Sequence, residues 1–121
     1  MALDILIIDP HGGKTFADSI NATLNTGPRH RIDTPESHQE ALQKLRERGG
    51  NYDAIILEYD QRELERTEML AAISEHAPKA RRVGFSIHWT EQNSAAAGLA
   101  MYNKNSGPII AYLEKLAREK I

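Results

Sequence analysis

Residues 52–58 read Tyr52-Asp53-Ala54-Ile55-Ile56-Leu57-Glu58, an apolar core held between acidic residues. Its centre is too short for a stable helix, and the two-residue alternation of a half-exposed strand is missing. A short continuous apolar run bounded by turn signals is the mark of a strand buried on both faces. Leu3 to Ile8 (LDILII) is a second such run, broken by Asp9-Pro10-His11-Gly12-Gly13. Strands covered on both faces belong to parallel sheets with helices above and below.

Working outward, helical spacing fills the gaps between such runs. Phe16, Ile20 and Leu24 recur every four residues, up to Thr26-Gly27-Pro28. Arg29 to Asp33 is a short strand of weak propensity. Thr34-Pro35-Glu36 is a helix start with Thr as cap and Pro at the first helical position. His38, Ala41, Leu42 and Leu45 form that helix's inner face, and Gly49-Gly50 stops it. Asp60-Gln61-Arg62-Glu63 has the form of a capping box. Leu64, Met69, Leu70 and Ile73 mark the next inner face, ending near Ala77-Pro78. Arg82 to Ile87 and Leu99 to Tyr102 are two further strands. Between them, Thr90 caps a helix through Ala95, Ala96 and Ala97. Ser106 or Gly107-Pro108 opens a last helix with Ile109, Ile110, Leu113, Leu116 and Ala117 on its apolar side.

Five strands alternate with five helices. Right-handed crossovers leave few topologies for that order. The expectation is a flavodoxin-like (βα)5 three-layer sandwich with a parallel sheet in the order 2-1-3-4-5. The 121 residues form one domain, residues 1–121.

Composition narrows the function. There is no cysteine, which excludes thiol chemistry, disulfides and Cys-ligated metals. The 15 basic and 17 acidic residues give a net charge of −2, and the pI is near 6.2. That balance argues against a nucleic-acid surface. No apolar run reaches the roughly 18 residues a membrane span needs, and the first residues lack the basic region of a signal peptide. A cytoplasmic location is expected. Gly12-Gly13-Lys14-Thr15 is similar to the end of a P-loop, but the first glycine of that motif would fall on Ile8. None of the five histidines forms an i, i+4 pair of the helical zinc type.

In a doubly wound sheet the ligand crevice lies beyond the C-terminal ends of the strands. That brings Asp9, Glu58, Ser86 and Lys104 into view, two carboxylates with a hydroxyl and an ammonium. In this set and order the chain resembles the receiver domains of bacterial two-component response regulators. ILIIDPH is similar to the family's first strand with its acidic pair. Glu58, five residues after Asp53, falls at the phosphoacceptor position. Ser86 falls at the Thr/Ser position after strand 4, and Lys104 at the family's Lys after strand 5.

The departures point one way. Pro10 replaces the second acid, removing one of the carboxylates that would coordinate Mg²⁺. Glu58 is one methylene longer than Asp, which misplaces its oxygen for in-line attack. Ile87 stands where the family has a small residue, and Asn105 where it has the proline after the Lys. The switch aromatic falls on Met101 or Tyr102, since the spacing from Gly98 to Lys104 is one residue short.

The resemblance therefore implies a pseudo-receiver: not an enzyme, without a cofactor, acting on a signalling protein partner by phosphorylation-independent contact. It places the partner surface on Trp89, Tyr102 and Tyr112, and a homodimer through that surface is compatible with it. The alternatives are a phosphorylatable receiver using Mg²⁺ with Glu58 or Asp60 as acceptor, and small-molecule binding at the strand-end crevice.

Overall fold

A computed structural model describes residues 3–9, 31–58, 63–86, 100–103 and 108–119. Its strands are β1 (Asp4–Ile8), β2 (Arg31–Asp33), β3 (Ala54–Glu58), β4 (Arg81–Ser86) and β5 (Ala100–Asn103). The helices among the described residues are α1 (His38–Arg48), α2 (Glu63–His76) and α3 (Pro108–Glu119), with a 3-10 turn at Gly49–Asn51. All four strand pairings are parallel and the order is β2-β1-β3-β4-β5, as the alternation of elements predicts. The helices expected around Phe16, Ile20 and Leu24 and after Thr90 lie outside the described residues.

The apolar runs of β1 and β3 divide cleanly between the two faces, because successive side chains point to opposite sides. Leu6, Ile8, Ile55 and Leu57 join Ala41, Leu42 and Leu45 of α1 and Met69 and Ile73 of α2 in one core. Leu3, Ile5, Ile7, Ala54 and Ile56 join Val83 and Leu113 of α3 in the other. Burying each large aliphatic side chain contributes about 1.5–3 kcal/mol, and Leu3, Ile5, Leu6, Ile7, Leu45, Ile55, Ile56, Leu57, Met69, Ile73, Val83 and Leu113 are all fully buried. At the sheet edge, β2 is three residues long with a charge at each end, features that discourage pairing with another chain.

Two details of the helices correct the sequence reading. Helix α1 begins at His38, not near Pro35: Ser37 is the cap, in extended conformation, and its Oγ accepts a hydrogen bond from Glu40 N–H at 3.1 Å. Glu40 at the third helical position reaches back to accept from Glu36 N–H, also at 3.1 Å. This reciprocal arrangement satisfies two otherwise unpaired donors, which Thr34 has no comparable acid to achieve. In α2, Met69 and Ile73 are buried as expected and Leu70 packs partly against the core, but Leu64 is 85% exposed. At about 100° per residue, Leu64 lies roughly opposite Ile73 on the helical wheel.

Gly49 ends α1 where it meets α2. A β-carbon on Gly49 would lie 2.4 Å from the backbone oxygen of His76. The two helix ends therefore approach more closely than any side chain permits.

Candidate functional site

The C-terminal edge of the sheet carries three of the residues singled out from the sequence, Asp9, Glu58 and Ser86. Ile8 pairs with Leu57, so Asp9, the residue after β1, follows level with Glu58, the last residue of β3. Asp9 is 3% exposed, the only buried charged residue among those described, while Glu58 is half-buried. Each has an interaction partner. Glu58 pairs with Phe85, and Ser86 beyond it pairs with Asn103 at the end of β5. The backbone thus sets Asp9, Glu58 and Ser86 at the ends of three neighbouring strands. Tyr102 lies within β5, paired with Phe85, and Met101 precedes it, paired with Gly84. Tyr112 lies on α3, half-buried against the second core. Lys104, Asp60 and Trp89 lie outside the described residues.

An apolar sheet explains why this edge is where polar groups collect. The strand interiors are filled by aliphatic side chains on both faces, so a carboxylate finds water and polar partners only at the strand ends. Among the described residues, no three His, Cys, Asp or Glu side chains come together in a way that could hold a metal ion. Pro10, next to Asp9, has no side-chain oxygen to offer.

Asp53 belongs to the other end of the molecule. Five residues of strand separate it from Glu58, about 16 Å. Its carboxylate accepts from Asp4 N–H at 2.8 Å, and its own N–H donates to the Asp4 carbonyl at 2.7 Å. Its carbonyl accepts from Arg81 N–H at 3.0 Å, so Asp53 ties together the starts of β1, β3 and β4.

Beside it lies a polar cluster that periodicity does not reveal. Arg48, in the last turn of α1, donates to Asp4 Oδ2 at 2.7 Å, and its Nε lies 3.5 Å from Asp33 Oδ2. The Tyr52 hydroxyl donates to the same Asp33 oxygen at 2.6 Å. The Arg48 guanidinium also sits over the Tyr52 ring, 5.6 Å from its centre. Arg31 adds looser contacts of 3.8 Å to both aspartates. Burial, then the hydrogen bond to Asp33 and its charge, push the Tyr52 phenol well above its ordinary pKa, against an opposing effect of Arg48. The cluster anchors the end of α1 to the sheet edge. Its members are 19 and 44 residues apart in sequence, so no local pattern announces them.

The chain matches no family model and no curated protein to significance. Its fold does match solved structures. A response regulator receiver domain protein from Clostridium thermocellum superposes with a TM-score of 0.73 at 21% identity, covering 99% of this chain and 97% of that one. A CheY-like receiver domain protein from Methanospirillum hungatei gives a TM-score of 0.70 at 18% identity, over 99% and 98% of the two chains. An adenylate cyclase structure from Rhodopirellula baltica gives 0.69 at 17% identity, over 98% and 89%. Together with the strand order, these likenesses identify the fold as the flavodoxin-like α/β fold of response-regulator receiver domains.

Proposed function

We propose that this chain is a signalling domain of the receiver type that works through protein–protein contact and not through phosphorylation of its strand-end pocket. The observation that carries the reading is the residue at the end of β3. Where the resemblance calls for a phosphoacceptor Asp, the chain has Glu58, set level with the buried Asp9, whose neighbour is Pro10. A permanent carboxylate at that point, with one fewer oxygen donor beside it, suits a structural charge better than a reacting group. The near-complete overlap with receiver domains supports the general role, and the substitutions support the phosphorylation-independent mode. By resemblance, the partner surface is the face carrying Trp89, Tyr102 and Tyr112.

The test is an amide NMR titration, first with Mg²⁺ and then with beryllofluoride, a mimic of a phosphorylated carboxylate. The expected result is no saturable shift at Asp9, Glu58, Ser86 or Lys104. Shifts clustered at those four positions and saturating at low millimolar Mg²⁺ would overturn the reading in favour of phosphotransfer with Glu58 or Asp60 as acceptor.

A further inference from the structure

At the end of the sheet opposite the strand-end pocket, α3 and the start of β4 enclose an open groove of about 190 Å³, lined by Arg81, Tyr112, Lys115, Leu116 and Glu119. The four helical residues fall at spacings of three and four, so one stripe of α3 supplies them. Arg81 begins β4, two residues before Val83, whose side chain belongs to the α3 core. Arg82 is turned to the other face, where it donates to Ser74 Oγ of α2 at 3.2 Å. Alternation along β4 therefore presents Arg81 to the groove.

The groove has two walls of different character. Tyr112 and Leu116 are half-buried and pack against the second core, so their inner sides are held in place. Arg81, Lys115 and Glu119 are exposed at the rim. Arg31 and Arg48 have carboxylate partners, but neither Arg81 nor Lys115 has one among the described residues, although Glu119 lines the same groove. Two cations and one carboxylate leave the rim one positive charge in excess.

We infer that this groove is a binding site for a small organic carboxylate with an apolar body, its carboxylate held between Arg81 and Lys115 and its body lying along Tyr112 and Leu116. Size supports the class. A cavity of about 150 Å³ accommodates benzene, while pockets for drug-sized ligands start near 300 Å³. The groove therefore has room for a single ring or short chain. Charge supports it as well. One negative charge balances the rim, whereas a phosphate dianion would overbalance it and would gain nothing from the apolar wall. The guanidinium of Arg81 also offers the planar fork that matches a carboxylate.

The probe is benzoate, titrated into the full chain with amide NMR detection, against sodium chloride at matched ionic strength and against inorganic phosphate. Saturable shifts confined to residues 81, 112, 115, 116 and 119 are expected. Lys115→Gln and Arg81→Gln, both exposed and so tolerated by the fold, are each expected to weaken binding about tenfold. The proposal is overturned if benzoate shifts these amides no more than chloride does. It is overturned equally if phosphate binds there as tightly as benzoate, or if both variants bind benzoate like the parent. The groove and the strand-end pocket lie at opposite ends of the strands, so either result leaves the reading of the pocket unaffected.

Discussion

Replacing Tyr52 by Phe removes one hydroxyl from the cluster at the end of α1 and leaves the ring that Arg48 covers. The lost contact is the 2.6 Å hydrogen bond to Asp33 Oδ2, a carboxylate that is 14% exposed. Hydrogen bonds to charged groups contribute about 1.5–3 kcal/mol. Asp33 keeps its contacts to Arg48 at 3.5 Å and Arg31 at 3.8 Å, so the lower half of that range applies. We expect a loss of about 2 kcal/mol at neutral pH, or roughly 6–10 °C in melting temperature for a domain of this size. The pH dependence provides a second check. The phenol holds its proton in the folded state to a higher pH than in the unfolded chain, where it titrates near 10. Its stabilising contribution is therefore complete below about pH 10 and is lost as the pH rises from there toward the raised native value. Urea unfolding of both proteins, followed by circular dichroism from neutral to strongly alkaline pH, measures the difference directly. Other groups cancel in that difference, so the gap should stay constant up to about pH 9 and narrow above 10. A gap below about 0.5 kcal/mol at neutral pH, or one that does not narrow, would refute the role assigned to this hydrogen bond.

Gly49→Ala should destabilise the protein by about 1–3 kcal/mol in urea unfolding, because the new methyl must displace the His76 carbonyl 2.4 Å away. Relief of glycine's chain entropy, about 0.4–1 kcal/mol, does not offset that clash. Leu64→Ser should change stability by less than about 0.5 kcal/mol, as expected of an exposed position. Met69→Ala on the same helix should cost about 2–5 kcal/mol, and the contrast between the two is read from thermal melts.

The corrections share a cause. Leu64 reads as a core residue because it is the first apolar position of the helix, but its angular position relative to Met69 and Ile73 turns it away. Thr34-Pro35 carries a real start signal, and it lost to Ser37 because Glu40 lies where it can complete the reciprocal pair of hydrogen bonds. In both cases the local residue types were read correctly and the geometry linking them decided the outcome. Strand limits moved by one or two residues for a similar reason. Arg81 joins β4 because Ala54 of β3 lies beside it, while β3 begins at Ala54, with Tyr52 and Asp53 before it serving the cluster and the strand starts.

The alternation of apolar runs with helical stretches limited the chain to a parallel α/β sheet of few topologies, since runs that lack two-residue alternation suit strands covered on both faces, and the packed structure set the strand order. It also placed Asp9 and Glu58 just past the ends of two apolar runs, because the end of an apolar run is the end of its strand, whereas Ser86 reads as interior to a strand running to Ile87 and is the last residue of β4 in the structure. Tertiary structure decided what depends on residues distant in the chain: the level placement of Asp9 beside Glu58, the pairing of Tyr52 and Arg48 with Asp33, the contact of Gly49 with His76, and the groove between Arg81 and α3. Burial patterns are written into each segment by its periodicity. A polar contact across the sheet, or a cavity between a helix and a strand, has no periodicity and exists only once the elements have packed.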